Sequence, residues 1–268
     1  MQPQLLDNSV DAPLFLEFGD HFDNVHLVYS SEQRGASSTS YKNVHLDLVP
    51  RRGIGNFGRY VCNAYKQVGR IHRKHPIDVI STSDALGAGL VGAIAKSRLG
   101  ISLLVQIQGE ALQLPRDDYR PMRRWGTKKL AVAVAARADA IRCVSAQIRD
   151  QALRAGLSAE RLNIVYSRCD TDLFDPTSHV DKAKAIRAAA GIPVTGTVLS
   201  FVGRVESHKG VFELIQAIGS IPEPRPHLIM VGEVPDPQSI ERALRDAGIA
   251  ASTTLTGRVP FQEVPAYL

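Results

Sequence analysis

The sequence predicts an α/β protein in which two parallel sheets are each covered by helices. Two observations carry this expectation. Short aliphatic and β-branched runs alternate with amphipathic helical stretches along most of the chain, the pattern of parallel sheets with helices on their faces. The alternation breaks once, between Ser167 and Gly196, where Asp175-Pro176-Thr177-Ser178 precedes a charged helical run, and it resumes at Thr197. The linker is therefore expected within residues 168–180, with domains at 1–175 and 176–268. A length of 268 residues suits two domains of about 100–200 residues each.

The elements follow in order. Strands are expected at Asn24–Ser30 and Val44–Val49, separated by a small polar loop at Gly35–Ser40. A basic helix, Phe57–Lys74, leads to a buried strand, Ile77–Ser81. Asp84 is a plausible N-cap for the helix Ala85–Leu99. Next come a strand at Ile101–Gln108, a basic helix at Tyr119–Arg137 and a strand at Ala140–Val144. Ser145 reads as the N-cap of Ala146–Ala155, Gly156 as the residue that ends it, and Leu162–Tyr166 as a further strand. After Thr197 the order is strand, helix Val211–Ile218, strand ending at Val231, helix Gln238–Ala247, strand Thr253–Gly257 and a helix at Phe261–Tyr267.

Composition narrows the function classes. Hydrophobic residues make up 44% and charged residues 22%, ordinary for a globular protein. The longest purely apolar run, Leu130–Ala136, is far short of the ~20 residues of a membrane span, and no signal peptide is visible. Three scattered cysteines, Cys62, Cys143 and Cys169, form no C-x-x-C, so neither a disulfide framework nor a zinc site is expected, and a reducing cytoplasm fits. A net charge of +5 suits anionic small molecules or anionic membrane surfaces, but no nucleic-acid-binding signature accompanies it.

The most informative segment is Leu199-Ser200-Phe201-Val202-Gly203-Arg204-Val205-Glu206-Ser207-His208-Lys209-Gly210. A strand ends in Gly203-Arg204, and Lys209-Gly210 opens a helix with Val211, Leu214, Ile215 and Ile218 on one face. Arg204 offers a fork of donors for phosphate oxygens and Lys209 a point charge, and the free N–H groups of a helix start favour the same anion. The span resembles a P-loop, but Gly210 stands where a Ser or Thr would bind magnesium, so a nucleoside triphosphatase is disfavoured. The bland alternative is that both cations are solvated loop charges.

The wider order moves that balance. Strand-Gly203-Arg204-x4-Lys209-Gly210-helix is followed by a strand ending Val231-Gly232-Glu233, a helix, a strand ending Gly257-Arg258-Val259-Pro260, and a last helix. This resembles the donor-binding half of glycosyltransferase family 4, retaining enzymes of the GT-B fold that use nucleotide-activated sugars. In the first half, "LGISLLVQIQGE", "ARADAIRCVSAQIRDQALRAG" and "LNIVYSRCDTDLFDP" resemble the family's acceptor domain. Ser167-Arg168-Cys169-Asp170 replaces the family's usual Asn-Gly turn, while Asp170, Phe174 and Pro176 keep their places.

The resemblance implies two Rossmann-like, doubly wound parallel-sheet domains facing a cleft, the second incomplete. It assigns Gly203, Arg204, Lys209 and Gly210 to the donor diphosphate, and Gly232, Glu233, Gly257, Arg258 and Val259 to the nucleoside. Gln108, Gly109 and Glu110 are weak catalytic candidates at a strand end. It implies no cofactor and no metal, a nucleotide diphosphate sugar as donor, and a hydroxyl acceptor, sugar or glycolipid. Bacterial surface polysaccharide or glycolipid assembly is the implied setting, in the cytoplasm, with peripheral attachment to the inner membrane face as an allied expectation. The family's opening strand with its glycine-rich loop, and its later acidic motif, do not appear in the sequence, so a shortened chain with little activity of its own is a further expectation.

Rival readings remain open at this stage. Gly87-x-Gly89-x-x-Gly92, with Glu110 beyond it, matches a dinucleotide-binding pattern and would suit an NAD-dependent oxidoreductase. Its register argues otherwise, because Thr82–Leu86 intervene after the strand and the glycines fall inside a helix where they permit close packing. A non-catalytic or incomplete fragment of a transferase is the other alternative. The basic stretch Arg116–Lys129, with Trp125, reads either as a solvated helix or as a surface for anionic lipid. His72 and His75 sit beside basic residues at a helix end, where a helix dipole favours cations, and metal binding there is improbable.

Overall fold

A computed structural model describes residues 17–31, 37–50, 56–108 and 121–268 of the chain. These residues form two compact units that divide between Ser167 and Arg168. The division precedes the expected one after Asp175. Residues just before it belong with the second unit: the Phe174 ring meets Phe261 edge to face at 5.8 Å, and the Leu173 carbonyl bonds the His179 imidazole at 2.7 Å.

In the first unit, β1 (Val25–Ser31) pairs parallel with β3 (Val44–Pro50), and β2 (Ser37–Tyr41) pairs antiparallel with the other edge of β3. The sequence reading placed a polar loop over residues 35–40. Instead Ser37–Tyr41 and Val44 close a two-residue hairpin through Lys42, whose φ of 51° is left-handed. Alternating Ser and Thr suit an edge strand whose side chains meet water, and hydrophobicity alone does not reveal such a strand.

A separate, fully parallel sheet has the order β4 (Val79–Thr82), β5 (Ser102–Ile107), β6 (Ala140–Cys143), β7 (Leu162–Ile164). The first unit therefore holds two sheets, one of them mixed, rather than one continuous parallel sheet. Among the described residues β1 and β4 are both edge strands.

The helices follow from burial periodicity. α1 (Asn56–Lys74) buries Val61, Ala64, Val68 and Ile71, spaced three and four apart, against Val49 of β3 and against Val91 and Ala95 of α2 (Gly87–Leu99). α2, α3 (Pro121–Ala135) and α4 (Ala146–Arg154) contribute to the main core with Leu103, Val105, Ile107, Ile141 and Cys143 of the parallel sheet. Ser145 caps α4, its hydroxyl accepting the Ile148 N–H at 3.2 Å, as the sequence suggested. The side chain of Trp125 lies outside the described residues.

In α2 the glycines decide a functional question. A methyl group at Gly92 would stand 2.5 Å from Leu103 Cδ1 and 3.0 Å from Thr82 Cγ2, and one at Gly89 would stand 2.7 Å from the Asp84 carbonyl. Both glycines let the helix lie close against its neighbours. Gly87 opens the helix, two residues later than expected, and Asp84 accepts the N–H groups of Leu86 at 2.7 Å and Ala88 at 3.3 Å. A carboxylate thus occupies the donors that a dinucleotide's pyrophosphate would need.

The second unit is a parallel sheet, order β10 (Thr253–Gly257), β9 (His227–Val231), β8 (Val198–Val202). Central β9 is buried on both faces. Leu228 and Met230 pack with Val211, Ile215 and Ile218 of α6 (Val211–Gly219) and with Ile240 and Leu244 of α7 (Pro237–Asp246). Ile229 and Val231 pack with Ile192 and with Ile186 of α5 (Val180–Ala189). Phe261–Tyr267, expected as a helix, is 3-10 and contains Pro265, which cannot donate the bond an α-helix asks of it.

Candidate functional site

The carboxyl ends of the three strands in the second unit carry the site. Each ends in a glycine with positive φ: Gly203 at 147°, Gly232 at 145° and Gly257 at 70°. The three turns are stitched together by backbone bonds. Gly203 N–H donates to Val231 at 2.9 Å, Gly232 N–H to Gly257 at 2.9 Å, and Val205 N–H to Glu233 at 2.9 Å. A side chain at Gly232 would overlap the carbonyl of Gly203, its Cβ lying 2.7 Å from that carbonyl carbon. Glycine at these positions lets two backbone turns touch at the sheet edge where open α/β sheets bind their ligands.

The first turn carries the charges. Beyond Gly203-Arg204, Val205 is 2% exposed and packs into the core, which anchors the segment. Residues Ser207–Lys209 form one 3-10 turn, closed by Gly210 in the left-handed region at φ 74°. α6 begins at Val211 with no side-chain cap on its N-terminus. Lys209 is exposed, and among the described residues no hydrogen bond or ion pair holds its ammonium group.

Arg204 is held differently from the expectation of a free cation. Its Nη2 is ion-paired with Glu206 Oε1, and the other carboxylate oxygen, Oε2, lies 3.2 Å from His208 Nδ1. Glu206 is only 22% exposed at its side chain, against 61% for Arg204 and 59% for His208. Sequence reasoning passed over Glu206. The available signal was a carboxylate two residues beyond the arginine, on the same turn.

The nucleoside candidates occupy the neighbouring turns. Gly232 and Glu233 follow β9, with Glu233 exposed, while Gly257 ends β10 and Arg258 is exposed beyond it. Val259 packs against the buried cluster that holds Ile229 and Val231. The diphosphate and nucleoside candidates thus share one sheet edge.

The first-unit candidates are only partly described. Gln108 lies just past β5 and donates to Gln106 Oε1 at 3.4 Å, while Gly109 and Glu110 lie outside the described residues. Gln106 belongs to a polar strip across the sheet. It donates to Ser81 at 2.9 Å and accepts from Arg142 at 2.8 Å, and Arg142 also donates to the carbonyls of Val165 and Tyr166. This strip links four neighbouring chain segments and leaves Arg142 fully engaged.

Among the described residues no group of three or more His, Cys, Asp or Glu side chains could hold a metal ion, and no helix is long and apolar enough to cross a membrane. His26 of β1, His45 of β3 and His75 stack beside Asp47, with centroids 4.5 and 6.1 Å from His26. Burial pushes the His26 imidazole below its ordinary value, and its Nε2 has no partner.

Two α/β units, each with a parallel sheet, the second carrying glycine turns and two cations at its strand ends, define the class of protein. Residues 22–167 match the model of the glycosyl transferase 4-like domain, and residues 182–268 match that of the glycosyl transferases group 1. The chain belongs to this family of glycosyltransferases, and its fold is of the GT-B type with two Rossmann-like domains.

It is 25% identical over 234 residues to a 2-deoxystreptamine glucosyltransferase of Streptomyces kanamyceticus, covering 80% of this chain and 57% of the relative. Among solved structures it resembles sucrose-phosphate synthase from Thermosynechococcus elongatus, with a TM-score of 0.76, 18% identity, and coverage of 96% of this chain and 66% of the other. It also resembles Anabaena HepE in complex with UDP-glucose, with a TM-score of 0.65, 19% identity, and coverage of 82% and 57%. The chain spans about half the length of the curated relatives it matches. The oxidoreductase reading finds no support in these relationships.

Proposed function

We propose that the chain takes part in moving a sugar from a nucleotide diphosphate sugar to a hydroxyl acceptor with retention at the anomeric carbon. The observation that carries this is the convergence of three positive-φ glycine turns at one sheet edge, with Arg204 and Lys209 on the first of them. The membership in a glycosyltransferase family supports the reaction class, and the UDP-glucose bound by Anabaena HepE supports a uridine nucleotide as the first donor to try.

In this reading the donor's diphosphate rests against the Gly203-Arg204 turn and the uncapped start of α6. As the glycosidic bond to the diphosphate breaks, negative charge grows on the leaving oxygen. The Arg204 guanidinium and the Lys209 ammonium, once engaged by the diphosphate, neutralise that charge, which lowers the barrier by electrostatic stabilisation. The backbone turns at Gly232, Glu233, Gly257 and Arg258 lie beside that diphosphate position and take the nucleoside. Gln108, Gly109 and Glu110, next in sequence after β5 of the first unit, are the weak catalytic candidates that the family resemblance supplies. We place the activity in the cytoplasm, in assembly of a surface polysaccharide or glycolipid, on the family resemblance; the net charge of +5 suits contact with an anionic membrane face.

Calorimetric titration of the purified chain with UDP, GDP, ADP and NAD tests the reading. A nucleoside diphosphate should bind and NAD should not. A charge-assisted hydrogen bond contributes about 1.5–3 kcal/mol, so Arg204→Ala should weaken binding by about tenfold or more. Unchanged affinity for both Arg204→Ala and Lys209→Ala removes the diphosphate assignment. Anomeric NMR of any transfer product tests retention, and an inverted product rejects that part.

A further inference from the structure

We propose that Glu206 is an internal competitor for the donor's diphosphate: its carboxylate occupies Arg204 when the site is empty and sets the affinity for the incoming phosphate. The inference rests on the diphosphate reading above.

The geometry points to competition. Oε1 of Glu206 meets Nη2 of Arg204, the guanidinium edge through which arginine grips carboxylate and phosphate oxygens alike. Oε2 is engaged with His208 at 3.2 Å, so both oxygens face the same turn. The backbone fixes this placement independently of the side chain. Glu206 N–H donates to the Arg204 carbonyl at 3.0 Å, and the Glu206 carbonyl accepts the Lys209 N–H at 3.0 Å. Glu206 is thus held between the two cations by main-chain bonds that substitution by Gln or Ser retains. Its side chain is the least exposed of the three paired groups, so it is the one least screened by water.

Two consequences follow. A diphosphate must displace the carboxylate from Arg204, and after displacement the carboxylate still stands on the same short turn as the phosphate. Both effects oppose anion binding. Removing the charge while keeping the shape should therefore tighten binding, and should raise the net positive charge of the turn by one.

The test is UDP titration of the whole chain and its Glu206→Gln variant by calorimetry at low and high salt, with thermal melts of both. The expected result is roughly two- to fivefold tighter binding in Glu206→Gln, the size of one partly screened ion pair, with a steeper loss of affinity as salt rises. The melting temperature should stay within a few degrees of wild type. Glu206→Ser, which removes the carboxylate and its reach, should shift affinity in the same direction. Unchanged or weaker UDP binding in both folded variants overturns the proposal and makes Glu206 a support for Arg204. If wild type binds UDP and Arg204→Ala abolishes it, the diphosphate reading stands whichever way Glu206 responds. If wild type binds no nucleoside diphosphate at all, that reading falls and takes this proposal with it.

Discussion

Substitution of Gly232 by Ala probes the joint between fold and site most directly. Gly232 holds φ at 145°, a region in which a side chain costs about 1–3 kcal/mol. Its new methyl would also overlap the Gly203 carbonyl, a backbone group that cannot rotate aside. Relief requires the two turns to part. That threatens the Gly203-to-Val231 and Gly232-to-Gly257 bonds, each worth about 1 kcal/mol net. The sum is about 3–5 kcal/mol.

Gly248 supplies the control. It is left-handed at φ 67° with open space around it, so Gly248→Ala carries only the backbone cost of about 1–2 kcal/mol. In a unit of this size 1 kcal/mol moves the melting temperature by about 4–8 °C, so the difference of about 1–4 kcal/mol should leave Gly232→Ala melting at least about 4 °C below Gly248→Ala in calorimetry. UDP affinity, measured well below the melting point, should fall in Gly232→Ala and hold in Gly248→Ala. Equal destabilisation by the two substitutions would show that the contact between the strand-end turns contributes nothing.

Two further outcomes are expected. Gly92→Ala should destabilise the first unit by about 1–3 kcal/mol by overpacking Leu103 and Thr82, less the helix-propensity gain, whereas Gly69→Ala, in open space on α1, should be neutral or stabilising by up to about 1 kcal/mol in urea denaturation. The pH dependence of stability has a fixed sign at His26 and His227, both held below the ordinary imidazole value by burial. The unfolded chain binds these protons more readily, so the contribution is present above about pH 6.5 and is lost as pH falls through the lowered folded-state values. Urea midpoints should therefore drop between pH 7.5 and 5.5, and His26→Gln should flatten the drop. A midpoint that holds or rises in wild type over that range contradicts the sign.

Much of this protein was legible in its sequence, for reasons that differ by element. Helices α1, α4, α6 and α7 and the buried strands announce themselves through local periodicity, because each must bury one face or both against a core. Ser145 at the start of α4 acts within one turn of chain, so its role needs no partner from afar. The Gly203-Arg204 to Lys209-Gly210 segment is likewise local, and its spacing alone suffices to put both cations on one turn.

What the sequence left open depends on where segments and side chains converge once the chain is folded. β2 exists only because β3 offers it an edge, and a Ser- and Thr-rich run has no hydrophobic pattern to betray that. The register of Gly89 and Gly92 already reads as close packing within a helix, but the surfaces they meet, Asp84, Leu103, Thr82 and Val134, are set by the fold. Gly232 is a turn residue in sequence, and only pairing of β8 with β9 presses it against Gly203. Glu206 reads as an ordinary loop acid until the 3-10 turn folds its carboxylate onto Arg204 and His208. Local chemistry therefore determined which cations and glycines stand together on the strand-end turns. Tertiary structure decided which of them are already occupied, because an ion pair depends on where side chains converge rather than on the order in which they are written.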